Sequence, residues 1–189
     1  MSLPVDAADR PRLFLITGIM AAGKSTVAQR LAERLPRSVH LRGDVFRHMI
    51  VGGQAEMGFE LTPVAAQQLK LRYRIAATVA KLYLAAGFSV VYQDIIIGDD
   101  LADVIQELEY QPQYIVVLCP EPNVVARRDA ERAKTAYTTL SVEEFDLVLR
   151  HATPRLGLWL DTSRLTADET VDIILADLDQ AKVSTPPQT

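Results

Sequence analysis

Residues 13–31 read LFLITGIMAAGKSTVAQRL, and the fold of the whole chain turns on how this stretch is parsed. Leu13 to Thr17 make an apolar run of the length of a fully buried strand, and apolar residues resume at helical spacing after Thr26. Between them lies a loop bounded by Gly18 and Gly23, with Ala21 and Ala22 small enough for a tight course. The spacing from Gly18 to Gly23, Lys24 and Ser25 satisfies G-x-x-x-x-G-K-[ST]. Such a loop delivers successive backbone N–H groups to the open N-terminus of a helix, where unpaired donors and the helix dipole favour an anion. A polyphosphate cradle is therefore expected, with the Lys24 ammonium on the outer phosphates and the Ser25 hydroxyl on Mg2+. Gly18, Ala21, Ala22, Gly23, Lys24, Ser25 and Thr26 are its expected contacts.

Working outward, the same short apolar pattern recurs in SVHL (38–41), FSVVYQD (88–94), YIVVLCP (114–120) and GLWLD (157–161). Five near-continuous apolar runs separated by helical patterns predict an α/β fold: a five-stranded parallel sheet covered by helices on both faces. Thr62-Pro63 starts a long helix, and Ser141 with Glu144 and Thr166 with Glu169 are capping boxes. In the long helix Leu71, Ile75, Val79, Leu82 and Ala86 form the expected apolar stripe, Lys70, Arg74 and Lys81 lie on another face, and Gly87 ends it. One domain spanning 1–189 is expected, with its core over about 12–180 and loose tails at 1–11 and 182–189.

Composition removes several function classes. The chain has 189 residues, 49% hydrophobic and 23% charged, and its net charge of −4 offers no general attraction to nucleic acid or an anionic membrane. Cys119 is the single cysteine, so no internal disulfide forms, and His40, His48 and His151 are too scattered for metal-ligand spacing. MSLPVDAADRPR lacks the pattern of a signal peptide, and no apolar run has the length of a membrane span. A cytoplasmic protein, monomeric or homodimeric, is expected. Trp159 and Cys119 read as core residues within apolar strands.

Four further stretches carry chemistry. Asp44 in HLRGDVFRHMI follows the second strand, where open α/β sheets collect ligands, so it faces the loop crevice as a base for an acceptor hydroxyl or else caps the helix after it. Arg47 and His48, one turn on, are either substrate contacts or solvated side chains. Asp94 ends the third strand, the position of a carboxylate that holds Mg2+ through water, and the III after it is either a pocket wall or packing under a lid. In ARRDAERAKTAY, Arg127, Arg128, Arg132 and Lys134 cluster after the fourth strand, and Arg128 and Arg132 lie one helical turn apart. They either neutralise a triphosphate or decorate a solvated helix. Thr162, in the Asp161-Thr162-Ser163 turn, supplies contacts to adenine or is only part of a cap.

Together, GIMAAGKST, RGDVFRH, VVYQD and RRDAERAK resemble the small P-loop kinases and phosphotransferases across about residues 12–180, nearest the chloramphenicol phosphotransferase-like group. The resemblance implies a P-loop NTPase fold, bound ATP and Mg2+, a small-molecule hydroxyl acceptor, Asp44 as base and a mobile lid bearing Arg128 and Arg132. Gluconate kinase and shikimate kinase acceptor patterns are missing, and GDVFRH is similar to adenylylsulfate kinases without their lid pattern. The acceptor is expected between 44–61 and the long helix, where IVGGQAEMGFE either adapts around substrate or is a disordered insertion. Two alternatives stand beside this reading: a nucleotide-dependent switch without an acceptor, although no N-K-x-D guanine motif is present, and a polynucleotide end kinase, which the acidic balance disfavours.

Overall fold

Strand β1 (Leu13–Gly18) is buried at all six positions because it lies at the middle of the sheet. A computed structural model describes residues 10–58, 61–131 and 141–184. With β2 (Ser38–Arg42), β3 (Ser89–Gln93), β4 (Gln113–Leu118) and β5 (Leu158–Leu160), the strand order is β2-β3-β1-β4-β5. All four of these pairings are parallel. The expected five-stranded sheet is thus present, and a central strand with helices over both faces has no wet side, which is why LFLIT is apolar throughout.

Helix α1 (Lys24–Glu33) packs with α7 (Ala167–Ala176), and α3 (Pro63–Ala85) packs with α4 (Asp100–Leu108), forming the helical layers of the sheet. Short α2 (Asp44–His48) follows β2, α5 (Pro122–Ala130) follows β4, and α6 (Val142–Leu147) runs into a π-helical turn at Val148–Ala152. Both capping boxes form, and the Thr62 hydroxyl accepts from Ala65 N ahead of Pro63. No helix among the described residues is long and apolar enough to cross a membrane.

Two expectations are corrected. The buried face of α3 is Tyr73, Ala76, Ala77, Ala80 and Leu84, while Leu71 and Leu82 are 47% and 67% exposed. Alanines let the helix approach the sheet closely, and the competing leucine stripe is left outside. Lys182 and Val183 are not a loose tail but β6, antiparallel to Tyr114 and Gln113, preceded by the single turn α8 (Leu178–Ala181). Because β5 pairs only Val116 to Leu118, the first residues of β4 keep an open edge, and β6 covers it. The rest of the expected tails, 1–9 and 185–189, lies outside the described residues.

Gly18, where β1 ends, has φ +144, and a Cβ there would stand 2.4 Å from the Leu118 carbonyl oxygen of β4. Backbone meets backbone, so no rotamer relieves the clash. Gly18→Ala is expected to lower stability by about 3 kcal/mol, read as a shifted denaturant midpoint. A variant with the parent midpoint would refute this tight β1–β4 approach.

Candidate active site

The loop after β1 has the backbone of an anion cradle. Gly23 sits at the N-cap of α1 with φ 98, no side chain caps the helix, and its first turn carries no acid. Ala21 also takes a left-handed φ of 60, a conformation a non-glycine residue adopts where the surroundings demand it. Thr26 N and Val27 N both donate to Gly23 O at 3.1 Å, closing the first turn. The Lys24 side chain is 8% exposed and arcs over the loop, its Nζ donating to Ile19 O at 2.7 Å. Ser25 and Thr26 are exposed at the rim.

Asp44 and Asp94 reach the same crevice of about 190 Å3, together with Lys24, Ser25, Arg72 and Ile95. Parallel strands end on one edge of the sheet, and β2 and β3 are neighbours, so their following carboxylates converge. Gly43 is the N-cap of α2 and no side chain caps that helix, so Asp44 does not perform the capping alternative. Its Oδ2 accepts from Arg42 Nη2 at 3.2 Å, while Oδ1 is buried without a hydrogen-bond partner among the described residues. An unpartnered buried oxygen in a polar crevice is a place for a donor.

Asp94 is 4% exposed and more tightly held. Its Oδ1 accepts from Ile95 N at 2.8 Å and pairs with Arg72 Nη2 at 3.0 Å, and its Oδ2 accepts from the Tyr92 hydroxyl at 3.3 Å. Burial pushes its carboxyl above the usual range; the Arg72 guanidinium, then the Ile95 N–H and Lys24, oppose that rise, and Asp44 adds to it. A Cβ on Gly43 would lie 2.0 Å from Asp94 Oδ2, so the glycine of RGD is what lets this carboxylate tuck under the start of α2. Gly43 N also donates to Gln93 O at 3.0 Å, joining the ends of β2 and β3.

Sequence reasoning did not single out Arg72. It stands beside Tyr73 on α3 with its side chain 11% exposed, and no signal within the helix marks it. Of the three isoleucines after Asp94, Ile95 lines the crevice and Ile96 is fully buried. Thr17 Oγ1 donates to Ile96 O at 2.7 Å and Tyr73 donates to Ile95 O at 2.8 Å, so the segment is bolted to β1 and α3.

On the other side of the loop, Arg128 Nη1 donates to Ala22 O at 3.4 Å and Nη2 to Thr162 O at 3.0 Å. Arg128 thus straps the phosphate loop to the turn after β5. Thr162 is 3% exposed and its Oγ1 is buried without a partner among the described residues. In the same turn the Ser163 N–H and hydroxyl both donate to Asp161 Oδ1, which holds the Asp161 carboxyl below its usual range. Arg127 is exposed; Arg132 and Lys134 lie outside the described residues. Arg47 donates to Ala55 O at 3.2 Å, Gln54 to Arg47 O at 2.7 Å and Gln68 to Gly53 O at 2.7 Å, so residues 47–55 are stapled to α3. His48 is exposed. Burial pushes the Cys119 thiol up, and Trp159 packs half-buried against the core with Arg155 4.0 Å over its ring.

The donor set fits a Mg2+ ion shared with phosphates: one hydroxyl at a helix start, nearby carboxylates, and room for water. Among the described residues no cluster of three or more His, Cys, Asp or Glu side chains forms an all-protein metal cage.

Compared with known proteins, residues 13–155 match the model of a family described as AAA domain. No curated protein matches the chain. A sugar kinase from Janibacter sp. HTCC2649 is 18% identical, with 90% of this chain and 96% of that chain covered and a TM-score of 0.68. The tunicamycin resistance protein of Deinococcus radiodurans is 17% identical, covering 94% and 100%, with a TM-score of 0.67. The APS kinase of Mycobacterium tuberculosis, in complex with AMPPNP and APS, is 22% identical, covering 90% and 98%, with a TM-score of 0.65. At these identities the likeness is one of fold.

Proposed function

Because the chain belongs to the AAA domain family, we propose that it is an ATP-dependent phosphotransferase that moves the γ-phosphoryl group to a hydroxyl of a small molecule, a metabolite or an antibiotic. The observation that carries this reading is one crevice holding both halves of the reaction. On one side stands the uncapped start of α1 with Lys24; on the other, the buried, unpartnered Oδ1 of Asp44. The neighbours named as a sugar kinase and an APS kinase support a small acceptor.

The roles follow from placement. Loop N–H groups from Gly18 to Thr26 and the Lys24 ammonium bind the phosphates, and Arg128 keeps Ala22 and Thr162 in register at the nucleotide end. Ser25 and Asp94 are the residues that would hold Mg2+, which would supply neutralisation of phosphate charge. Asp44 orients the acceptor and takes its hydroxyl proton as the acceptor oxygen bonds to the γ-phosphorus and the bond to the ADP oxygen breaks. The family resemblance implies Arg128 and Arg132 as cations for the transferring group; Arg132 lies outside the described residues, and Arg128 donates to Ala22 O and Thr162 O. The mixed-polarity segment 47–58 forms the acceptor side.

An ATP-consumption screen across hydroxylated metabolites and antibiotics, with product mass as the readout, tests the proposal. One acceptor class is expected to stimulate ADP release and to gain a phosphoryl group. ATP binding with no phosphorylated product from any hydroxylated compound would instead favour the nucleotide switch.

A further inference from the structure

The Arg72–Asp94 ion pair is the one feature of the crevice that no motif or family role accounts for. Both side chains are nearly buried, 11% and 3% exposed, and Nη2 lies 3.0 Å from Oδ1. Among the described residues Asp94 is the only ion-pair partner of Arg72, whose Nε is buried without a hydrogen bond and whose guanidinium lies 5.4 Å from the Tyr73 ring centroid. Lys24 lines the same crevice as Asp94 and Arg72, 8% exposed, with Nζ on Ile19 O. Breaking a buried ion pair leaves an uncompensated charge.

We infer that Arg72 is a positioning residue: by occupying Asp94 it keeps the Lys24 ammonium turned onto the phosphate loop, where a nucleotide meets it. The other charges facing Asp94 fit this arrangement. Asp44 on α2 already has Arg42, and the Tyr92 hydroxyl on β3 is a neutral donor, so Lys24 is the cation left to respond if Arg72 is removed. Arg72 then acts on nucleotide affinity through Asp94 and Lys24, not by touching phosphate.

This inference rests on ATP binding as proposed above, and a double-mutant cycle tests it. ATP affinity is measured by calorimetry in EDTA, so that neither metal nor hydrolysis enters, for the parent, Arg72→Met, Asp94→Asn and the double variant. Arg72→Met is expected to weaken ATP about tenfold or more in the parent background and by less than about threefold once Asp94 is Asn, because the carboxylate that captures Lys24 is gone. The same fold-loss in both backgrounds would overturn the inference, since a direct phosphate contact or a long-range charge effect adds independently. Thermal unfolding of all four proteins checks the fold. Should Arg72→Met fail to fold, Arg72→Lys carries the cycle: a partial loss that disappears in the Asp94→Asn background supports the role, and an equal loss in both refutes it. If the parent itself does not bind ATP, the phosphotransferase reading falls and takes this inference with it.

Discussion

Lys24→Ala is expected to abolish ATP binding at concentrations that saturate the parent, while the fold survives. The Lys24 side chain is almost fully buried, and its Nζ is held over the loop by Ile19 O. A charged hydrogen bond contributes about 1.5–3 kcal/mol, and an ammonium bridging two phosphates makes more than one, so the loss in affinity is about 10²-fold or greater. The fold has less at stake. Ala is compatible with a helical backbone, and the variant loses the Nζ bond to a loop carbonyl rather than packing volume in the sheet. Calorimetry with Mg·ATP and thermal unfolding are the paired measurements. Parent-like affinity in Lys24→Ala would mean the loop does not cradle phosphate. Loss of both affinity and cooperative unfolding would mean that Lys24 holds the loop together instead.

The parts of this site that could be read from sequence are those governed by local chemistry. A parallel sheet puts every strand's carboxyl end on one edge, so the sequence alone groups Gly18, Asp44 and Asp94, and the crevice joins Asp44 and Asp94 to the loop. The tight course of the loop was equally legible in Gly18, Ala21, Ala22 and Gly23, but the left-handed φ of 60 at Ala21 was not, since any Cβ disfavours it. What escaped depends on tertiary partners. Helix α3 carries two stripes of helical period, and nothing within it says that alanines win the sheet while leucines face solvent. Arg72 has no local signature either: its meaning comes from Asp94, on another element and across the crevice. Strand β6 is two residues long and exists because β5 is short, a fact about the far end of the sheet. Arg128 illustrates a third limit. Sequence spacing put it beside Arg132 as a cation for phosphate, whereas its hydrogen bonds run to the backbone carbonyls of Ala22 and Thr162. A helix period gives the neighbours along one helix but not which carbonyls of other segments lie within reach.

Asp44→Asn is expected to separate phosphoryl transfer from nucleotide binding. As a general base Asp44 must take a hydrogen bond from the acceptor, and its buried Oδ1, which no donor among the described residues satisfies, is the oxygen available for that. Asn has the same size, so packing against Gly43 and the crevice wall is retained. Helix α2 loses nothing, because the Asp44 side chain does not cap it. The Arg42 pair that the substitution weakens has side chains 51% and 44% exposed, and pairs of that kind contribute roughly 0–1 kcal/mol. ATP affinity should therefore hold, or tighten slightly with one negative charge fewer near the phosphates. Transfer to the acceptor found by the ATP-consumption screen should fall about 10²-fold or more, the scale of losing a positioned base. The two quantities must be measured on the same preparation, because their ratio carries the argument. Near-parent turnover in Asp44→Asn would sink the base assignment outright. A parallel loss of ATP affinity and turnover would move Asp44 from the acceptor to the phosphate and metal end of the crevice. Only a turnover that collapses while nucleotide affinity stays level puts the carboxylate where the acceptor hydroxyl gives up its proton.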